Sequence, residues 1–187
     1  MPPDARLAHV RPPETSRAGG RVPAKRHPSG PPVTHRVSVT PTDAATFTRQ
    51  EFGVDATVEG RALTVSLRPD QWQPFGEFAR RRLGCVYFNW LSAVDWKTDG
   101  LEVLARVENL DAGVEVFMRT RLPGGQVHCP TLTSVWKGAD WMERECYDMF
   151  GVVFDGHPDP RRILLSEDWV GHPLRKDWVD EGFTPYR

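Results

Sequence analysis

Cysteine is scarce in this chain, and the scarcity narrows the chemistry available to it. Cys85, Cys129 and Cys146 are the full complement among 187 residues. They are widely spaced, form no CxxC pair and are too few to ligate an iron–sulfur cluster. A structural zinc would need a fourth ligand from histidine, and the one adjacent pair, His128-Cys129, sends its side chains to opposite faces if that stretch is extended. The three therefore read as reduced thiols, with no metal site. Long apolar runs are lacking too. Stretches such as CVYFNWL at residues 85–91 fall far short of the roughly 20 residues that cross a bilayer, and none has the form of a signal-peptide core. The chain reads as soluble, without direct membrane insertion. Excess charge is also missing: a formal net charge of −1 supplies no long-range field for nucleic acid or anionic lipid. Neither a Walker loop nor a dinucleotide fingerprint occurs. Pro123-Gly124-Gly125 is a turn, because no helix begins directly after it.

What is present is an ordinary composition, 39% hydrophobic and 26% charged, at a length suited to one core-bearing domain with appendages. Residues 1–36 read as a disordered leader. Pro2, Pro3, Pro12, Pro13, Pro23, Pro28, Pro31 and Pro32 are interspersed with six basic residues between Arg6 and Arg26 and almost no large apolar side chain, so ordering this segment has little burial to offset its entropy cost. A basic arm touching RNA, lipid or a partner is a competing reading. A transit peptide is another, though the prolines oppose the amphipathic helix it would use.

Residues 37–137 carry the pattern of an α+β domain. PTDAATFTRQEFG at 41–53 opens on proline and closes on Gly53, a short helix with start and stop signals. VDATV and ALTVSL alternate around Glu59-Gly60, a hairpin with Leu63, Val65 and Leu67 on one face. Trp72, Phe75, Phe78 or Ala79, and Leu83 then recur at helical spacing, with Asp70 able to cap, Pro74 in or near the first turn and Gly84 as the stop. CVYFNWL is expected as a strand buried on both sides. LEVLARVE and GVEVFMRTRL follow as antiparallel neighbours about the turn at Asn109–Gly113, one aligning Val103, Ala105 and Val107, the other Val114, Val116 and Met118. The order α-β-β-α-β-β-β predicts a two-layer sandwich of helices on a mixed, mostly antiparallel sheet.

Residues 138–187 form the third segment, a short helix and an extended, irregular arm. In ADWMERECYDMF, between Gly138 and Gly151, Met142, Cys146, Met149 and Phe150 make an apolar stripe, which assigns Cys146 to the buried face. Arg144 and Asp148 stand at i, i+4 and are expected to pair. Glu143 and Glu145 lie about 200° apart on the helix, too divergent to converge on one reacting group as acid and base. A zincin would need histidines where Met142 and Cys146 stand. Beyond Gly151, recurrent proline and glycine forbid a long helix and oppose central strands. Phe154, Ile163, Leu164, Leu165, Trp169, Leu174, Trp178, Phe183 and Tyr186 nevertheless supply anchors for lying along a surface. GHP occurs twice, with His157 and His172 expected to bond backbone carbonyls rather than ligate metal.

TSVWKGADWMERECYDMFGVVFDGHPDPRRIL and EDWVGHPLRKDW, spanning residues 133–178, resemble the C subunit of the proton-pumping NADH-quinone oxidoreductase, the 30 kDa subunit family of respiratory complex I. The family shows an acidic helix E-R-E-x-Y-D-x-F-G, a G-H-P with nearby arginines and a second G-H-P-x-R-K-D. The resemblance singles out Glu143, Arg144, Glu145, Tyr147, Asp148, Phe150 and Gly151, then His157, Pro158, Arg161 and Arg162, then His172, Pro173, Arg175, Lys176 and Asp177. It implies that they fix the junction of helix and arm and meet a partner. It further implies a cofactor-free scaffold with no catalytic residues of its own, in the peripheral arm of the complex on the cytoplasmic side of the bacterial membrane. Its chief partner would be the quinone-site D subunit, with the B and I subunits nearby. FMN and iron–sulfur clusters would reside in partner subunits, which pass electrons from NADH to quinone with proton translocation. Met142 and Trp178-Val179 depart from the family pattern, which commonly has histidine at the first position and an aromatic followed by proline at the second. An equivalent scaffold in a membrane-bound hydrogenase is the alternative, and a free-standing metal or thiol hydrolase a remote one.

Overall fold

The computed structural model describes residues 39–179. The expected leader and the anchors Phe183 and Tyr186 lie outside them. Helix α1 (Pro41–Phe52) starts where Thr40 Oγ1 accepts the Asp43 N–H at 3.2 Å and Asp43 returns a bond to the Thr40 N–H at 3.1 Å, a reciprocal cap that satisfies two of the free donors at a helix start. The hairpin β1 (Ala56–Glu59) and β2 (Ala62–Leu67) follows, then α2 (Pro69–Arg81), β3 (Tyr87–Asp95), β4 (Leu101–Asn109) and β5 (Val114–Leu122). The sheet order is β1-β2-β5-β4-β3. Within this sheet the β2–β5 pairing alone is parallel, because α2 and the β3–β4 hairpin intervene between those two strands. The protein is thus the two-layer α+β sandwich that the residue pattern implies.

The core lies between the sheet and helices α1 and α2. Leu63, Val65, Val103, Ala105, Val107, Val114 and Val116 face Trp72 and Phe75, and all are fully buried. Phe52 joins α1 to α2 by edge contacts with Phe75 and Phe78, both at 5.3 Å between ring centroids. The opposite face of the sheet carries Arg106, Glu108, Glu115, Arg119 and Arg121, cross-linked in part by Arg106 to Glu108 and Glu115 at 2.9 Å each.

Three expectations for this region are corrected. CVYFNWL is not buried on both sides: β3 sits at the sheet edge and starts at Tyr87, leaving Val86 61% and Tyr87 47% exposed. A bulge between Phe88 and Trp90 lets Phe88 stack near Trp136 while Trp90 meets Phe117. Pro74 lies inside α2, beyond the first turn. Asp70 is not the cap; Arg68 holds that position, and Asp70 pairs with it at 3.0 Å.

Two strands absent from the expected order, β6 (His128–Pro130) and β7 (Val153–Asp155), form a small parallel sheet on either side of α3 (Ala139–Phe150) in sequence. His128 is exposed and Cys129 buried, the opposed orientation that an extended chain imposes. The loop after β6 reaches α2 at Gly76, where an added Cβ would stand 2.9 Å from Leu132 Cδ2 and 3.1 Å from Trp136 Cζ3. Among the described residues, no helix is long and apolar enough to cross a membrane.

Candidate functional site: the joint between α3 and the arm

Helix α3 lies along β3 and covers its free edge, with the Leu91 N–H 3.2 Å from Met142 Sδ. Ala139, Cys146 and Phe150 are buried, and Met142 and Met149 pack against the core from its margin, so Cys146 lies on the apolar stripe. Burial pushes the Cys85 thiol up to about 12 and raises Cys129 and Cys146 as well, which keeps all three as unreactive thiols. Among the described residues, no group of three or more His, Cys, Asp or Glu is placed to hold a metal ion.

The buried face of α3 also carries two carboxylates. Asp148, fully buried, accepts the Ile163 and Leu164 N–H groups at 2.7 Å and the Arg162 guanidinium at 2.9 Å. Burial by itself would raise its pKa, but the N–H groups of Leu164 and Ile163 and the hydrogen bond from Arg162 outweigh that and hold it below the usual range. The expected Arg144–Asp148 pair does not form. Asp148 turns inward to the arm, while Arg144 donates to the carbonyls of Arg161 at 2.9 Å and Arg162 at 3.1 Å and approaches Asp159 at 3.6 Å.

A helix ends with four carbonyls that have no partner within it. Here the C′ residue and the arm satisfy all four. Tyr147 O accepts from Gly151 N at 2.9 Å, Asp148 O from His172 Nδ1 at 3.0 Å, Met149 O from Leu174 N at 3.0 Å and Phe150 O from Arg175 Nη1 at 3.4 Å. Arg162 Nη1 also donates to Asp148 O, at 3.4 Å, so two arginines stand at the negative end of the helix dipole. Arg162 reaches onward to the carbonyls of Trp169 and Gly171, both at 3.2 Å. Gly151 has φ 75, and a Cβ there would lie 2.7 Å from the His172 ring. The arm's far end is pinned by Asp95, at the end of β3, which accepts the Lys176 N–H at 2.9 Å. That N–H outweighs burial in lowering the Asp95 pKa.

Near the start of α3, His157 accepts the Asp159 N–H on Nδ1 at 3.0 Å and donates from Nε2 to the Asp140 carbonyl at 3.1 Å. Glu143, fully buried, accepts from the Thr131 hydroxyl at 2.5 Å and the Leu132 N–H at 2.6 Å. Burial raises its pKa to about 7 against those two bonds. Phe150 and Tyr147 pack at the joint, Tyr147 edge-on to His172 at 5.9 Å. Glu145 and Pro158 are exposed, Pro173 is half-buried, and Asp177 approaches Arg175 at 3.6 Å. Lys176 contributes its backbone N–H, and Arg161 pairs with Asp159 at 2.6 Å. The motif residues thus separate into an inward set centred on Glu143, Arg144, Asp148, His157, Arg162, His172 and Arg175, and an outward set of Glu145, Pro158 and Asp177. Sequence reasoning missed Thr131, Asp159 and Asp95. Thr131 lies just before the motif and Asp159 within it, but nothing local marks Asp95, which precedes its partner by 81 positions.

Two clefts flank the joint, one of about 260 Å³ walled by Tyr147, Val153, Phe154 and Pro160, the other of about 470 Å³ walled by Val127, His172 and Trp178. An α+β sandwich whose last helix is end-capped by its own downstream arm is the class of module that the fold and the joint define. Family comparison places it: residues 65–184 match the model of the respiratory-chain NADH dehydrogenase 30 kDa subunit, and the chain belongs to that family. It is 43% identical over 118 residues to the NADH-quinone oxidoreductase C subunit of Chlorobium phaeobacteroides, covering 60% of this chain and 70% of that one. It is 42% identical over 98 residues to the NADH-quinone oxidoreductase C/D protein of Phocaeicola vulgatus, covering 52% of this chain but only 19% of that protein. Among solved structures, the trypsin-resistant fragment of Nqo5 shares the fold, with a TM-score of 0.53 at 24% identity over 64% of this chain and 98% of that one.

Proposed function

We propose that this chain is a structural and assembly subunit of the peripheral arm of NADH-quinone oxidoreductase, holding no cofactor and supplying no catalytic residue itself. In this reading it sits on the cytoplasmic side of the membrane, chiefly against the quinone-site D subunit and near the B and I subunits. FMN and iron–sulfur clusters in the partners carry electrons from NADH to quinone, coupled to proton translocation. The observation that carries the proposal is the two-sidedness of the arm. Its polar groups bond inward to α3 and Asp95, while Leu164, Leu174, Val179 and Val170 stand 61%, 53%, 75% and 87% exposed. A backbone held this firmly while presenting apolar side chains outward is suited to gripping another protein with little ordering cost. Trp141, 71% exposed on α3, adds an aromatic anchor. The fused C/D relative supports the D subunit as the neighbour, since there the two names belong to one chain.

Affinity capture of the tagged full chain from its own cells tests this. A D-like subunit with a flavin-bearing NADH-oxidising subunit is the expected company. A D-like subunit with a nickel site would assign the chain to a hydrogenase, and capture of no such subunit would overturn the scaffold reading.

A further inference from the structure

We propose that Glu143 is an internal proton-binding site, in which the Thr131 and Thr133 hydroxyls reverse direction as the proton comes and goes. The geometry allows both states to be satisfied. Glu143 Oε1 accepts the Leu132 N–H in either state, at 2.6 Å. With the proton bound, Glu143 Oε2–H donates to Thr131 Oγ1 at 2.5 Å, and the Thr131 hydroxyl donates onward to Thr133 Oγ1 at 2.9 Å. With the proton gone, Thr133 O–H donates to Thr131, whose hydroxyl donates to the carboxylate. In both states Thr131 Oγ1 also accepts the Thr133 N–H, at 3.1 Å, so its two lone pairs and one proton are always used. No heavy atom needs to move.

The surroundings favour the bound proton. Glu143 is fully buried, and among the described residues its carboxylate would have two donors and no facing cation. The closest candidate, His157 Nε2, is 3.9 Å from Oε2 and spends its proton on the Asp140 carbonyl, while its Nδ1 is occupied by the Asp159 N–H. Arg144, next in sequence, points to Arg161 and Arg162. Of the other groups packed around it, Cys146 on α3 and Cys129 on β6 are neutral buried thiols. Asp140 on α3 and Asp155 on β7 are acids, and Asp140 disfavours a second negative charge. Glu143 links α3 to the loop after β6, so proton occupancy is coupled to the stability of that packing.

Glu143's pKa is raised in the folded chain, from an ordinary 4.5 to about 7. The folded state therefore holds a proton that the unfolded state has released, and its contribution is complete below the unfolded value and declines as pH rises through that window. The decline is about tenfold in the folding constant per pH unit between those values. Glu143→Gln, a permanently neutral isostere, is expected to remove this component. Urea unfolding of full-length wild type and variant at a series of pH values reads the difference. A wild-type slope that survives unchanged in the variant would overturn the proposal. Should the variant fail to fold, carbon NMR of the Glu143 carboxyl in the wild type decides: titration near neutral pH supports the site, and an ordinary acidic titration refutes it. Thr131→Val, which removes the hydroxyl donor to the charged form, is expected to move that titration upward.

Discussion

Asp148 concentrates more of the joint on one side chain than any other residue described. Its carboxylate takes two backbone N–H groups at 2.7 Å and Arg162 at 2.9 Å, while its carbonyl accepts from His172. Removing one member of such a buried pair leaves the other charge uncompensated, a loss of roughly 3–5 kcal/mol. Asp148→Asn is expected to lower unfolding stability by that order in denaturant titration at neutral pH. Because the folded pKa of Asp148 is depressed, this stabilisation is present above its unfolded pKa and disappears as acid titrates the folded carboxylate. Wild type and variant should therefore converge at low pH, opposite in sign to the Glu143 effect. Arg144→Ala should be milder. It frees two part-exposed carbonyls that water can reach, at about 1–3 kcal/mol by the same measurement. The residue pattern made Cys146 legible as a core residue and the two histidines as carbonyl-bonding. It misassigned the partner of Asp148, because helical spacing reports which residues could meet on one helix and says nothing of an arginine 14 positions later that competes for the same carboxylate.

At the scale of elements, what was legible follows from periodicity. The β4–β5 ladder pairs Val107 with Val116 and Ala105 with Met118, and β2 buries Leu63, Val65 and Leu67, as strict alternation demands. β3 was harder to read, since its apolar run resembles a central strand; its edge position and bulge are set by the order of the whole sheet. β6 and β7 are three residues each, too short for any period to show, and each exists through the other. The termination of α3 was legible at Gly151, yet its deeper reason lies in the arm that bonds the last carbonyls. Gly151→Ala tests that coupling. Positive φ alone costs a non-glycine residue about 1–3 kcal/mol, and the new methyl would press on the His172 ring. Destabilisation at or above that range is expected in urea unfolding, accompanied in NMR spectra by a displaced His172 ring.

For the whole molecule, the decisive question is whether the arm is ordered by this chain or by the partner subunit proposed above. Aperiodic sequence with many anchors reads most simply as a segment waiting for another surface, and its outward apolar residues retain that character. The inward bonds give a different expectation for the isolated chain. The Ile163 and Leu164 amides donate to Asp148, the Leu174 amide to Met149 O and the Lys176 amide to Asp95. Since exchange requires those bonds to open, all four amides should be protected in the free full-length protein, whereas the solvent-facing side of the arm should gain protection only on assembly. Asp148→Ala removes the acceptor for the first two directly and leaves the acceptors of the other two intact. If the arm is one cooperative unit, Leu174 and Lys176 should nonetheless lose protection together with Ile163 and Leu164. Loss confined to Ile163 and Leu164 would divide the arm into independent clasps at Asp148 and Asp95. Rapid exchange of all four in the free wild type would mean that the partner, not α3, orders the arm.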